Sequence, residues 1–187
     1  MDLTSRARRI IIAVALGTAL AVPAAVISVS AASAAPRSGA ERSATPECRS
    51  PNNVIVWLGL NPDGAAAGTT FYPLEFSNVG VGTHACWISG SPTVWAVTAS
   101  HGKLGPKAGS GGSGRKITLQ PGQTAHALLG IVQKGFIAGC QNATAAGLEV
   151  SLPGSSALQP IDSFTFPVCK NKVFMRVQPV ASGLSIP

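Results

Sequence analysis

The sequence predicts an all-β protein, an immunoglobulin-like antiparallel β-sandwich held by two disulfides. Three observations carry that expectation. Apolar runs are short and are broken by Gly, Pro and Asn about every eight to twelve residues, the spacing of sandwich and barrel strands. No segment sustains the three-and-four spacing of an amphipathic helix. Four cysteines, an even number, stand in a chain that opens with an export-type segment.

That segment has the three parts of a secretory signal. Arg6, Arg8 and Arg9 supply positive charge, residues 10–29 are apolar, and Ala32-Ser33-Ala34 is an A-x-A cleavage site. Residues 1–34 are therefore expected to be a signal peptide. The apolar part also reaches the roughly 20 residues that a bilayer span needs, so an uncleaved anchor is the alternative. Its many small residues and Pro23 favour removal, after which no stable membrane span is expected. The pair Arg8-Arg9 lacks the rest of a twin-arginine motif, and Cys48 lies too far from the apolar part for lipid attachment.

Residues 35–187 are long enough for one domain and short for two. Residues 35–47 are rich in Ala, Ser, Pro and charge without apolar periodicity, and read as a disordered leader. Residues 48–187 are the single β-sandwich domain. Setting aside Arg6, Arg8, Arg9 and Asp2 leaves 11 basic against six acidic residues, a net charge of +5 for 35–187.

Strands are expected at 54–60, 69–77, 86–88, 94–99, 116–119, 125–132, 148–152, 163–166 and 173–179. In the first, Val54, Val56 and Leu58 alternate with Ile55 and Trp57. In the second, Leu74 and Phe76 share one face while Glu75 takes the other. Asn61-Pro62-Asp63-Gly64 and Ser100-His101-Gly102-Lys103 are turn formers, and Pro121-Gly122 suits a type II turn. Residues 105–114 are almost entirely Gly, Ser, Pro and Ala and read as a flexible surface loop. A phosphate cradle would need a flanking strand and helix and a Gly-Lys-Ser/Thr ending, which are missing.

Cys48, Cys86, Cys140 and Cys169 allow three connectivities. Pairing Cys48 with Cys86 and Cys140 with Cys169 is favoured because it joins neighbouring parts of the chain and leaves one staple near each end of the domain. A thiolate metal site is disfavoured by the absence of any Cys-x-x-Cys pair and by the oxidising compartment.

The functional classes narrow accordingly. The densest basic groups, Arg115-Lys116 and 170–172, carry no interleaved aromatics, so nucleic-acid binding is not expected. His84, His101 and His126 are scattered, and no Gly-x-Ser-x-Gly nucleophile motif accompanies them. No catalytic site, cofactor or metal is expected. Trp57, Trp87, Trp95 and Tyr72 are the amphipathic rings available for stacking, and Trp57, Ser91 and Trp95 form the candidate binding surface.

The order of Cys48, the strand ending in Asn78-Val79-Gly80, Cys86-Trp87-Ile88-Ser89-Gly90-Ser91-Pro92, Pro121-Gly122-Gln123-Thr124-Ala125, Cys140 and Cys169 resembles an exported actinobacterial family. That family is known as domain of unknown function four-two-three-two. The resemblance runs from Cys48 to about Val180 and implies an envelope or secreted β-sandwich with no established activity. Members usually carry Tyr between the residues matching Gly90 and Pro92, where this chain has Ser91. The expected role is an extracytoplasmic, cell-envelope-associated recognition or scaffold module for a protein or glycan. The alternative is a freely secreted effector, such as an inhibitor of an extracellular enzyme. An exposed aromatic patch favours the first, and a protruding, ordered 105–114 loop the second.

Overall fold

The computed structural model describes residues 44–59, 62–80 and 84–185. The expected signal peptide, and the leader as far as residue 43, lie outside the described residues. Backbone pairing starts two residues before the expected domain edge. The Trp87 N–H donates to the Pro46 carbonyl (2.9 Å), and the Cys48 N–H donates to the Trp87 carbonyl (2.8 Å).

The described chain is all-β apart from one short 3-10 turn, Lys134–Phe136. Its strands are β1 (Val54–Leu58), β2 (Ala65–Ala66), β3 (Thr69–Asn78), β4 (Cys86–Ile88), β5 (Thr93–Val97), β6 (Gly109–Ser110), β7 (Ile117–Leu119), β8 (Thr124–Val132), β9 (Asn142–Ser151), β10 (Leu158–Cys169), β11 (Met175–Val177) and β12 (Ala181–Ser182). Each strand expected from the sequence is present, with two large changes of bounds. β9 begins six residues early because Ala143, Ala145 and Gly147 pair with β10 while giving no apolar alternation to read. β10 spans twelve residues although it holds Pro160 and Pro167. It lies at the margin of its sheet, where a missing N–H breaks no ladder, and its pairing shifts register between Asp162 and Phe166.

The larger sheet has seven strands, ordered β1-β3-β8-β11-β6, with β2 on β3 and β12 on β8. The smaller is β10-β9-β5, and β4 pairs with β7 as a separate ribbon. The strand pairings are antiparallel except β6 with β11, which is parallel. One continuous core takes Leu74, Phe76, Leu129 and Met175 from the larger sheet and Val94, Leu148, Val150 and Phe166 from the smaller. This is compatible with an immunoglobulin-like sandwich. Burying such apolar side chains contributes about 1.5–3 kcal/mol each, the main favourable contribution to folding.

Both favoured disulfides are present. Cys48 and Cys86 are joined across a separation of 38 residues, and Cys140 and Cys169 across 29. The first ties the start of the domain to β4, and the second joins the beginning of β9 to the end of β10.

Two strand edges of the sandwich are covered. On β1 the Val56 N–H donates to Gln159 Oε1 (3.0 Å), while Gln159 Nε2 donates to the Val54 carbonyl (2.9 Å) and to Ser50 Oγ. The side-chain amide of a β10 residue thus occupies β1 as a partner strand would. On β5, the Leu104 N–H reaches the Ala96 carbonyl and the Ala108 N–H the Val94 carbonyl, each at 2.8 Å.

The second of these seals corrects the reading of 105–114 as a flexible loop. The segment is packed down: it crosses from β5 to become β6, the Gly111 N–H bonds the Val177 carbonyl (3.0 Å), and Ser89 Oγ donates to the Gly114 carbonyl (3.1 Å). Its glycines permit close approach. A Cβ on Gly105 would lie 2.6 Å from the Cys169 carbonyl oxygen, and one on Gly114 would lie 2.8 Å from the Gly90 nitrogen.

Two outcomes follow for stability. Gln159→Leu strands a buried N–H and a buried C=O, so urea unfolding should show a loss of roughly 2–5 kcal/mol, and size-exclusion chromatography should show association through the opened edge. Replacing Cys140 and Cys169 together by alanine should lower unfolding free energy by about 3–4 kcal/mol, as closing a loop of this length implies. An unchanged denaturation midpoint for either variant contradicts the corresponding account.

Candidate recognition surface

Strand alternation sends one set of side chains into the core and the other to the outer face of the seven-stranded sheet. On β1, Val54 and Val56 are buried while Ile55 and Trp57 are 43% and 52% exposed. Cross-strand register extends this face into rows. Trp57 stands opposite Glu75, which stands opposite His126. Phe71 stands opposite Gly130, which stands opposite Arg176. A Cβ on Gly130 would lie 3.0 Å from Phe71 Cε1, so the bare backbone leaves the space that the Phe71 ring occupies.

Around that ring the face sinks into a groove of about 470 Å³ lined by Phe71, Leu128, Val173, Arg176 and Gln178 and floored at one side by 109–111. Its walls are mainly apolar, with one guanidinium and one carboxamide among them. Val173 at the rim is exposed.

The acidic and imidazole groups of the face are engaged by the chain's own C-terminal segment. β12 lies on β8, and from there the Gly183 N–H donates to the Thr124 carbonyl (3.1 Å). The Gly183 carbonyl lies 2.9 Å from His126 Nδ1. Ser185 then donates twice, from its N–H to Glu75 Oε1 (3.1 Å) and from its hydroxyl to Asp63 Oδ2 (2.7 Å). Glu75 is only 6% exposed, and its other carboxylate oxygen, Oε2, is buried without a hydrogen-bond partner. Burial lifts the Glu75 carboxyl above its ordinary value, Ser185 and His126 pull it back, and Asp63 adds to the rise.

The three candidate surface residues do not converge. Trp57 is on the outer face of the seven-stranded sheet. Trp95 alternates with buried Val94 and Ala96 and therefore faces outward from the opposite sheet. It lies across from Glu149, with Lys103 Nζ 4.0 Å from its ring centre. His101 Nδ1 is 3.8 Å from Glu149 Oε1 on that side. Ser91 precedes β5, and its hydroxyl is buried without a partner rather than presented to solvent. Trp87, next to Cys86, carries Lys116 Nζ 4.4 Å from its ring centre. Phe71, Leu128 and Arg176 were not singled out as surface residues. Their signal was present in the alternation of Phe71 with Tyr72 and of Arg176 with Met175 and Val177, but it becomes a groove only when β3, β8 and β11 are adjacent.

The raised Glu75 carboxyl sets a direction for pH dependence. The folded chain holds the proton more tightly than the unfolded one, so this group's effect on stability is most favourable at low pH. It becomes unfavourable as pH rises from the ordinary value of 4.5 through the raised one. Glu75→Gln keeps an acceptor for Ser185 and removes the charge. Thermal unfolding followed from about pH 4 to about pH 7 should show the native chain losing stability relative to this variant. Parallel curves contradict the assignment.

Among curated proteins none matches the sequence. A family model matches residues 48–180, from the first cysteine of the Cys48–Cys86 staple to the residue before β12. That span is most of the chain and holds the core strands of both sheets, so the chain belongs to the family described as Domain of unknown function (DUF4232).

Proposed function

We propose that this protein is an exported recognition or scaffold module of the cell envelope, acting by binding a protein or glycan rather than by catalysis. The observation that carries the reading is the outer face of the seven-stranded sheet, where exposed Ile55 and Trp57 and the groove at Phe71, Leu128 and Arg176 share one surface. An exposed indole stacks on sugar rings or fills a partner's pocket, and a neighbouring guanidinium holds carboxylate or phosphate groups. Apolar contact surface is more informative here than scattered exposed residues, because β1 is sealed along its edge yet left open on its face.

Two further features support binding over chemistry. Glu75, Asp63 and His126, the carboxylates and imidazole at the face, are hydrogen-bonded to the Gly183–Ser185 segment. Both disulfides suit an oxidising compartment, and among the described residues no helix is long and apolar enough to cross a membrane. The secreted-inhibitor reading would be favoured by a projecting loop at 105–114, whereas that segment is tied to β5 through the Ala108 N–H and to β11 through the Gly111 N–H.

The test is co-sedimentation of the disulfide-intact exported chain with isolated wall and membrane fractions over a salt series. Saturable pelleting should persist near 0.5 M salt, where screening reaches about 4 Å, and Trp57→Ala with Arg176→Ala should reduce it about tenfold or more. Retention that vanishes with salt, or that is indifferent to both substitutions, contradicts the proposal.

A further inference from the structure

A second site, independent of the outer face, lies between the ribbon β4–β7 and the short strand β12. Two adjoining hollows of about 300 and 360 Å³ separate them, and Ile117 and Ser182 line both. β7 forms one wall and residues 179–184 the other.

Antiparallel geometry fixes which backbone groups face this cleft. Trp87 directs its N–H and C=O to Pro46 and Cys48, away from β7. Its partner Thr118 is therefore in a non-hydrogen-bonded pair, and the N–H and C=O of Thr118 point away from β4 into the cleft. Across the gap, the Gly183 N–H bonds the Thr124 carbonyl, so Ser182, paired with Ala125, is likewise in a non-hydrogen-bonded position. The N–H and C=O of Ser182 point away from β8 into the same cleft. Two strand edges thus face each other across a space, each offering one donor and one acceptor. Two other edges are covered, that of β1 by Gln159 and that of β5 by 103–108.

We propose that this cleft takes an extended peptide segment of a partner protein, added as a strand between β7 and β12. Such a strand would satisfy Thr118 on one side and Ser182 on the other, and would join the ribbon to the seven-stranded sheet. Main-chain bonds supply affinity in this mode, and alternate side chains supply specificity. The cleft is lined by Ile117, Leu119, Thr124 and Leu184, which suit β-branched side chains. Arg115 is the one charged residue along it, so the segment carries a carboxylate at that end.

The experiment uses the disulfide-intact exported chain and a blocked five-residue peptide of alternating threonine and valine ending in aspartate. A copy of the peptide methylated on its backbone nitrogens is the control. In the free chain the amides of Thr118 and Ser182 should exchange with solvent nearly as fast as unstructured ones. Added peptide should shift both resonances saturably and slow their exchange by about tenfold or more, and the methylated copy should do neither. Ser182→Pro loses no native hydrogen bond, because that N–H faces the cleft, and should weaken peptide binding by about tenfold with little change in melting temperature. Amides already protected in the free chain, no saturable shift at millimolar peptide, or equal binding of the methylated copy would each overturn the proposal. Should the proline variant fail to fold, the methylated peptide still separates the outcomes.

Discussion

The amide of Gln159 is the point at which the two sheets are bound to each other by hydrogen bonds as well as by apolar contact. A sandwich can slide along a greasy interface at modest cost, but it cannot slide while one side chain from β10 bonds both the Val56 N–H and the Val54 carbonyl. The same three bonds set the relative position of β1 and β10, bring Ser50 into the core, and turn an open edge into a closed one. β1 consequently presents its face, with Ile55 and Trp57, while withholding its backbone.

The 103–114 segment performs the corresponding task on the other margin. Its bonds to Ala96 and Val94 cover β5, and its continuation as β6 closes the far side of the larger sheet. Little side-chain volume fits there, since the backbone passes within contact distance of Cys169–Lys170 at Gly105 and of Gly90 at Gly114. At Gly105 and Gly114 glycine therefore reflects close packing of one main chain on another, while Gly112 takes a positive φ of 74° in open space. The groove at Phe71 depends on this, because 109–111 form part of its wall.

Much of this architecture was legible in residue order. The alternation through Val54, Ile55, Val56 and Trp57 reports burial directly, and so does Leu74-Glu75-Phe76, because strand periodicity is a local property. The cysteine pairing followed from chain proximity. By contrast, Gln159 acts on backbone groups more than a hundred residues away, and nothing near it in the chain marks it as a strand partner. β9 escaped full recognition because alanine and glycine pair well without announcing a face. The 105–114 segment was misread because a glycine run signals freedom and close approach with the same letters. Of the candidate surface, Trp57 was legible from alternation, whereas the separation of Trp95 onto the opposite face required knowing which sheet each strand joins.

The two staples also decide how the domain responds to tension. They enclose separate, non-overlapping loops, so a pull applied upstream of Cys48 and at the C-terminal end travels through sulfur at Cys48–Cys86 and again at Cys140–Cys169. β1, β2, β3, β9 and β10 lie within those loops, off the covalent path of the load. Roughly 200 Å of contour length is thereby removed from what the chain can release on extension. The outer face retains β1 and β3 under strain that would draw out β5, β8 and β11.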